Sequence, residues 1–455
     1  MQMMSLKKII NLCFFPLITL AVVHVAAYAA DNKSADDDRR TASRAPNARD
    51  LMESTAPGYS TPAGLVSECL GRLVFDVKPE IEWPTWYDGD FGFDFSKSFS
   101  RNVFNPGDEI KIGNVKIAVI GPLTDTISSS LSAALPKNDL RDQLARLKKD
   151  ELAFSENSKK KTGDRKALYA QSKLEDSIQE TKNYIKEIQD KYQPFEPGLP
   201  DSEGYWYSKT EPGNEIYSVF RTNLKRGKYI YVFESTELLS KKLDKEAHRR
   251  NFLKFLASFR TRTKHEIPHE LGICIPAGFI RDDGKSNIDI KQSLRWNDAP
   301  GVLYSIHTGN VEPGRFKSPA VEAAASAAIG MLGSMEEERV KPFVTKRIGP
   351  HASRIGALTA QQGGVALTVK GKTGTPYEAY SVFTGYSGWL GSVVLPYILI
   401  EMSTRTLDQA PELKKNPPPF QQSMDRLEIL LKSTRLRATA PTMPELAATS
   451  ETKGP

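Results

Sequence analysis

The chain has 455 residues, which indicates two or three domains, and 39% of its residues are hydrophobic, enough for a sizeable core. The formal net charge is +7, from 62 Lys and Arg against 55 Asp and Glu, and charges of both signs occur throughout. No basic stripe is interleaved with aromatic residues as in a nucleic-acid groove, so the composition argues against a nucleic-acid partner.

The N-terminus has the pattern of a secretory signal over residues 1–29. Lys7 and Lys8 precede an apolar run from Ile9 to Val25, and Ala27–Ala29 has the small-x-small pattern of a cleavage site. A membrane anchor is the alternative, although the run is short for a bilayer span. Cleavage at this site predicts an exported, periplasmic protein. No later segment is long and apolar enough to predict an integral membrane span in the mature chain.

Two cysteines, Cys69 and Cys274, remain after removal of the signal. Cys13 lies in the apolar run and lacks the small preceding residues of a lipoprotein, so no lipid anchor is expected. Disulfides persist in the periplasm, and one pair of cysteines allows one connectivity. We expect a Cys69–Cys274 disulfide, with two buried free thiols as the alternative.

The N-terminal half predicts a tether and a first folded domain. Residues 30–64 contain few large apolar groups and predict a disordered tether, and the folded domain is expected over residues 65–263. Its predicted strands are Cys69–Val77, Val115–Ile120, Glu215–Thr222 and Lys228–Glu234, and its long amphipathic helix is Thr236–Arg262.

A strongly charged segment at residues 139–192 predicts two antiparallel helices with a turn near Gly163. Its apolar residues recur at intervals of three, four and seven and form one narrow stripe: Leu174, Ile178, Ile185, Ile188 and Tyr192. Such a helical hairpin packs along one side only. Its own domain and a partner protein are both possible neighbours.

The C-terminal half predicts a second domain over residues 264–437, followed by a disordered tail at 438–455. Its expected strands are Cys274–Ile280, Val302–Thr308, Val365–Lys370, Ala379–Phe383 and Val393–Met402, and its expected helices are Ala320–Arg339 and Gln421–Leu436. Pro396 places the last of these strands at an edge or a bulge.

Short matches recur in the same order in the two halves. YSVF at 217–220 recurs at 380–383, and FLKFLASFRTR at 252–262 aligns with LEILLKSTRLR at 427–437. We therefore predict a mixed α+β or α/β fold of two related two-layer domains, each a sheet with helices, the first carrying the helical hairpin as an insertion. Two unrelated domains are the alternative.

The motif H-E-x-x-H occurs once, at His265, Glu266 and His269. On a helix this spacing presents two imidazoles to zinc and a carboxylate to the attacking water. Pro268 lies inside the motif, however, and a proline there breaks a helix and extends the residue before it. The segment therefore predicts a loop at the domain boundary.

Other catalytic motifs are incomplete. Gly385-Tyr386-Ser387-Gly388 lacks the final glycine of a nucleophile elbow, because Trp389 stands there. Lys372-Thr373-Gly374 matches one motif of serine enzymes that recognise penicillin, but their S-x-x-K occurs only in the signal, a charged run and the tail, and S-D-N is absent. A P-loop would need a glycine where Ala366 stands. The sequence therefore predicts neither catalytic residues nor a cofactor site nor a metal site, so we expect a protein that is not an enzyme.

Three segments resemble one family of bacterial proteins: Cys69–Val77 (CLGRLVFDV), Ile267–Gly284 (IPHELGICIPAGFIRDDG) and Leu427–Arg437. The chain is similar to the immunity proteins that protect bacteria from type VI secretion phospholipase effectors, specifically their fourth subfamily. The resemblance extends from about Cys69 to Arg437. These segments are scaffold features, and none is catalytic.

The resemblance implies a periplasmic inhibitor whose two domains grip a lipase and block lid opening and access to its active site. A tight inhibitor needs a large complementary surface with a few aromatic or arginine anchors. The candidate anchors, each of which could instead be a core aromatic, are Trp83, Trp86, Tyr87, Tyr205, Trp206, Tyr207, Trp296 and Trp389. A periplasmic adaptor or envelope-assembly protein is the alternative function, and a zinc hydrolase using His265, Glu266 and His269 is a third, less favoured hypothesis.

Overall fold

The computed structural model describes the chain in twelve stretches. They are residues 54–56, 58–83, 109–121, 136–159, 165–211, 215–239, 244–310, 343–370, 376–388, 395–405, 413 and 416–437. The predicted signal, most of the tether, the C-terminal tail and the helix Ala320–Arg339 lie outside the described residues. So do three candidate anchors, Trp86, Tyr87 and Trp389.

Strands are the commonest elements of the described chain, which also has four helices longer than one turn. The strands are β1 (Val66–Leu70), β2 (Leu73–Val77), β3 (Ile81–Glu82), β4 (Glu109–Ile112), β5 (Val115–Ile120), β6 (Gln193–Phe195), β7 (Ser202–Glu211), β8 (Glu215–Arg226), β9 (Tyr229–Leu238), β10 (Phe259–Thr261), β11 (Gly272–Ile275), β12 (Gly278–Arg281), β13 (Ile288–Trp296), β14 (Val302–Gly309), β15 (Phe343–Ile355), β16 (Leu358–Lys370), β17 (Pro376–Tyr386), β18 (Tyr397–Thr404) and β19 (Arg435–Leu436). The helices are α1 (Pro136–Lys159), α2 (Arg165–Lys191), α3 (Lys245–Ala257) and α4 (Phe420–Ser433). The predicted mixed α+β class is confirmed.

The chain divides into two compact units that differ from the predicted domains. Unit 1 consists of residues 1–84 and 260–455, and unit 2 of residues 85–259. The sequence predicts the division near residue 260 but assigns residues 65–84 to the other half. These residues belong to unit 1 because the C-terminal strand β19 pairs with β2, and because Cys69 is bonded to Cys274.

The main sheet of unit 1 is antiparallel, with the order β15-β16-β17-β18-β14-β13, and β3 also pairs with β13. Helix α4 packs on one face of this sheet. There the hydroxyl of Tyr304 donates to the carbonyl of Ser423 at 3.0 Å, and Tyr380 shares a 2.6 Å hydrogen bond with the Ser423 hydroxyl. The helix is also fixed by Arg426, whose guanidinium makes two hydrogen bonds to the carboxylate of Asp298.

Two small three-stranded sheets complete unit 1, with the orders β1-β2-β19 and β10-β12-β11. Each consists of a hairpin and one short strand that follows a helix. The strand after α3 pairs with the hairpin that opens the second half of the sequence, and the strand after α4 pairs with the hairpin that opens the first half. We call these two sheets together the paired hairpins.

Corresponding backbone bonds repeat between the two members of the paired hairpins. The N–H of Arg262 donates to the carbonyl of Ala277 at 3.1 Å, and the N–H of Arg437 donates to the carbonyl of Arg72 at 2.9 Å. Arg262 and Arg437 are also the residues that the internal sequence match aligns. Each half therefore supplies its closing strand to the hairpin of the other half.

Unit 2 is built on an antiparallel sheet with the order β4-β5-β9-β8-β7-β6. Helix α3 covers one face, where Phe220 lies between Phe195 and Phe252 with ring centroids 5.2 and 6.1 Å away. His248 of α3 is fully buried and its Nε2 atom is 2.9 Å from the hydroxyl of Ser235. These contacts define the core of unit 2.

Helices α1 and α2 form the helical hairpin that the sequence predicts. Lys182 and Glu151 join the two helices at 2.8 Å, and Ile178 and Ile185 of the apolar stripe are buried. Both helices carry many charged residues, and no helix of the described chain is long and apolar enough to cross a membrane.

Several predicted elements differ in length from the observed ones. The predicted helix Thr236–Arg262 is α3, which begins after Asp244, whose carboxylate accepts from the N–H of Ala247 at 2.7 Å. The predicted strand Cys69–Val77 is a hairpin, because Gly71 adopts a φ of 60° that reverses the chain. Its counterpart Cys274–Ile280 turns at Ala277.

Candidate functional site

The H-E-x-x-H residues do not form a helix and do not converge. His265 has a φ of 64°, and its Nε2 atom lies 3.3 Å from the carbonyl of Pro79. The Glu266 carboxylate instead accepts from Arg260 at 2.8 Å and from the N–H of Thr263 at 2.9 Å. His269 is exposed. Residues 264–269 contain a turn and no helix, so the two imidazoles are not presented on one helical face.

No group of three or more His, Cys, Asp and Glu residues in the described ranges could hold a metal ion. The segment that carries the motif connects β10 to β11, and its charged side chains pair with neighbours in the same unit.

A disulfide lies at the centre of the paired hairpins. It joins Cys69 in β1 to Cys274 in β11, and both residues are fully buried. The N–H groups of Gly71 and Cys274 each donate to the other residue's carbonyl at 2.8 Å, so a backbone bridge accompanies the covalent one. Val74 and Phe279 pack against the disulfide.

A buried ion pair crosses between the two hairpins next to the disulfide. One Nη2 atom of Arg262 lies 2.5 Å from the Glu68 carboxylate, and both side chains are almost completely buried. The same guanidinium donates to the carbonyls of Cys69 and Ile275. Nδ1 of His265 lies 3.2 Å from the other carboxylate oxygen. Burial by itself raises the pKa of Glu68, but the bond from His265 and the charge of Arg262 outweigh it and hold this pKa below its usual value.

Arg437 is the counterpart of Arg262 in the second closing strand, and it also reaches the opposite hairpin. Its guanidinium donates to the carbonyl of Gly272, lies 3.5 Å from Sγ of Cys274 and covers the ring of Phe279 at 5.1 Å. Burial lowers the pKa of Arg437 to about 10, so the side chain stays protonated at neutral pH.

A third arginine, Arg72, lies in the turn of the first hairpin. Its guanidinium lies 3.2 Å from the carboxylate of Asp282 and donates to the carbonyl of Ser286 at 3.0 Å. Arg72 thereby ties the turn of β1–β2 to the residues after β12. Three buried arginines therefore connect the two hairpins through backbone carbonyls, and Arg72 and Arg262 also form ion pairs.

Unit 2 contains a separate buried charged cluster. Arg221 on β8 lies opposite Glu234 on β9, with 3.9 Å between the closest charged atoms. Burial raises the pKa of Glu234 although Arg221 opposes the effect, and burial also raises the pKa of the nearby Tyr207. No motif marks these residues, because each lies at an ordinary position of an alternating strand.

The structure separates the described anchor candidates into two groups. Trp83, Tyr205 and Trp296 are buried within their own units, and Trp296 is only 2% exposed. Trp206 and Tyr207 are half-buried on β7. Trp206 has Nζ of Lys245 over its ring at 3.5 Å. Of the described candidates, only these two are not fully buried.

The sequence predicts the disulfide pair, and its internal match aligns Arg262 with Arg437. No sequence pattern marks Glu68 and Arg72, whose partners lie about 190 to 210 residues away. A buried carboxylate inside a strand leaves no periodic signal.

These groups bind backbone rather than a substrate. The guanidiniums of Arg72, Arg262 and Arg437 donate to main-chain carbonyls, and the carboxylates of Glu68 and Asp282 accept from arginines. Such an arrangement stabilises a scaffold.

Comparison with known proteins gives a family match for part of the chain. Residues 266–439 match the family described as the Tle cognate immunity protein 4 C-terminal domain. The matched residues lie in unit 1 and make up 174 of the 455 residues.

Two solved structures match the chain at low sequence identity. The apo structure of the immunity protein TplEi of the type VI secretion system from Pseudomonas aeruginosa has a TM-score of 0.43 and 12% identity, covering 83% of this chain and 98% of that one. The crystal structure of the Tle4-Tli4 complex has a TM-score of 0.45 and 14% identity, covering 84% of this chain and 100% of that one. No curated protein sequence matches the chain.

Proposed function

We propose that this protein binds and inhibits a type VI secretion phospholipase effector in the periplasm. The observation that carries this proposal is the match of residues 266–439 to the C-terminal domain of an effector-specific immunity family. The charged residues of the paired hairpins support it, because they are engaged in holding the scaffold. A stable scaffold can present a preorganised surface, which lowers the cost of binding.

The proposed periplasmic location rests on two features. The N-terminus has the pattern of a secretory signal, with Lys7 and Lys8 before an apolar run. The paired hairpins contain a disulfide, and disulfides persist in oxidising compartments. A phospholipase delivered to that compartment would meet the inhibitor there.

The proposed mechanism is that the two domains grip the lipase and block lid opening and access to its active site. In a complex of this kind, a few aromatic anchors carry much of the binding free energy. Trp206 is the described candidate best placed for this role, because it is half-buried and its ring is already fixed by Lys245.

Purification with the phospholipase encoded beside this gene tests the proposal. We expect a stoichiometric complex, loss of phospholipid hydrolysis by the bound lipase, and protection of a susceptible strain that expresses the lipase in its periplasm. Failure of the two proteins to associate, or hydrolysis by the immunity protein itself, would contradict the proposed function.

The mechanism has its own test. An active-site-directed covalent probe should label the free lipase and should label the complex far more slowly. Equal labelling would mean that the lipase is held with its active site open. Trp206→Ala should weaken the complex. Trp296→Ala is the matched control for loss of a tryptophan, because it removes a buried ring and should lower the stability of unit 1 instead.

A further inference from the structure

Among the described residues, β15 is the last strand of the main sheet of unit 1. It pairs with β16 along one side, and its described residues make no backbone pairing on the other. The residues from Lys346 to Arg354 are exposed, apart from Ile348 and Ser353, which are partly buried. An exposed strand edge offers N–H and C=O groups to another chain.

This edge is strongly basic. Lys346, Arg347 and Arg354 lie on β15, and residues 343–370, which form β15, β16 and their turn, contain no Asp or Glu. The whole chain has 55 acidic residues in 455, so a stretch of 28 residues with average composition would contain about three acidic residues (28 × 55/455). The absence of carboxylates leaves the positive charge of this edge without compensation along both strands.

The three cations make no ion pair within the described part of the chain. Nζ of Lys346 lies over the ring of Phe420 at 5.2 Å, and Arg354 donates to the carbonyl of Ala357 at 2.7 Å. The nearest strand with a carboxylate is β17, where Glu378 accepts instead from the N–H of Phe420 at 2.7 Å. We call Lys346, Arg347 and Arg354, together with the backbone that carries them, the basic edge.

Protection against aggregation explains part of this pattern. Strand edges commonly carry lysine, proline and bulges, and β15 has Pro350 and two irregularities in its register, after Val344 and after Ile348. Protection does not require a single sign of charge, however. A mixture of acidic and basic residues would protect the edge equally well, so the exclusion of carboxylates calls for a further explanation.

We propose that the basic edge is a docking surface for an acidic, extended segment of the cognate effector. This inference rests on the proposed function. Opposite charge steers the two proteins together and fixes the register, while the free edge accepts backbone hydrogen bonds from the segment. A protein partner is favoured over a membrane surface, because none of the nine exposed large hydrophobic residues in the described chain lies on β15 or β16.

Charge reversal tests the docking surface. The edge variant carries Lys346→Glu, Arg347→Glu and Arg354→Glu. The control variant carries Lys228→Glu, Lys285→Glu and Lys432→Glu, which change the net charge by the same amount at exposed positions elsewhere. Circular dichroism and thermal unfolding of both variants establish that they fold. If the charge-reversed edge variant does not fold, a milder edge variant with glutamine at the same three positions is tested in its place.

Affinity for the effector is measured at about 0.05 M and about 1 M salt, where the Debye length falls to about 3 Å. We expect the edge variant to bind about tenfold or more weakly at low salt, the control variant to bind like the unchanged protein, and the difference to shrink at high salt. Equal weakening of both variants, or full affinity of the edge variant, would overturn the docking surface and leave the proposed function intact.

Two further outcomes are separable. Absence of any complex with the unchanged protein would count against the proposed function itself. Sedimentation with phosphatidylglycerol vesicles, abolished in the edge variant, would overturn the protein-docking proposal in favour of a lipid surface. We expect no sedimentation of either variant or of the unchanged protein.

Discussion

Removal of the disulfide should lower the stability of unit 1 more than any single surface change. The disulfide closes a loop of 205 residues between Cys69 and Cys274. For a loop of 205 residues, the chain-entropy relation gives a loss of conformational entropy in the unfolded chain of about 2.1 plus 1.5R ln 205, or about 18 cal/mol/K. At 25 °C this entropy corresponds to about 5 kcal/mol of stabilisation, at the upper end of the usual range.

The backbone bridge and the buried arginines should keep the paired hairpins assembled without the disulfide. Gly71 and Cys274 still exchange two backbone hydrogen bonds, and Arg262 still spans both hairpins. The Cys69→Ser/Cys274→Ser variant is therefore expected to fold, with a free energy of unfolding of unit 1 lower by about 3 to 5 kcal/mol.

Urea unfolding followed by tryptophan fluorescence measures this difference, with the oxidised and the reduced unchanged protein compared at the same concentration. Both sulfur atoms are fully buried, so reductant should act slowly on the native protein and rapidly once urea opens unit 1. The serine variant controls for effects of the reductant itself. Titration of two free thiols in the oxidised protein, or identical unfolding midpoints before and after reduction, would refute the reasoning.

Four other predictions concern a buried ion pair, two titrations and metal content. Arg262→Ala leaves the Glu68 carboxylate buried without its main charge partner and should destabilise unit 1 by about 3 kcal/mol or more in urea. Because the pKa of Glu68 is lower in the folded protein than in the unfolded chain, its ionised carboxylate stabilises unit 1 above the unfolded pKa, and this stabilisation is lost as the pH falls below about 4.5. Urea unfolding midpoints measured between pH 7 and 3 should show this loss. The Glu68→Gln variant should lack this pH dependence. Burial lowers the pKa of His248 to about 4, so unit 2 should lose stability as the pH falls from 6.5 toward 4, and a pH-independent midpoint in that window would contradict the assignment. Elemental analysis should find no zinc bound by His265, and His265→Ala should leave the metal content unchanged.

The local elements could be predicted where hydrophobic periodicity is strong. The strand Val115–Ile120 has the predicted bounds, and the helical hairpin differs from its prediction by a few residues at its ends. Strand β7 was missed, because its segment SEGYWYSKTE mixes polar and aromatic residues without clean alternation. Its residues are ordered by pairing with β8, which is a tertiary effect.

The division into units could not be predicted from local pattern, because it depends on which strand pairs with which hairpin. A short apolar hairpin could pair equally well with a closing strand from either half of the sequence. The pairing of Arg435 with Val74 joins residues 361 positions apart, and no periodic signal reports such a contact. The segment 58–64, assigned to a disordered tether, is likewise held by Tyr59, which donates to the carboxylate of Asp76 at 2.8 Å.

The internal repeat does indicate how the two halves are related, but its closing strands link the two halves and do not close two separate domains. Two matched segments that end in arginine suggest two copies of one domain, each closed by its own strand. In the structure the backbone N–H of each matched arginine closes the hairpin of the other copy, and the only two cysteines after the predicted signal meet between them. Exchange of closing strands makes the two halves interdependent, so a change in either hairpin should disturb both. The surface that this protein presents to a partner thus depends on residues from both ends of the chain.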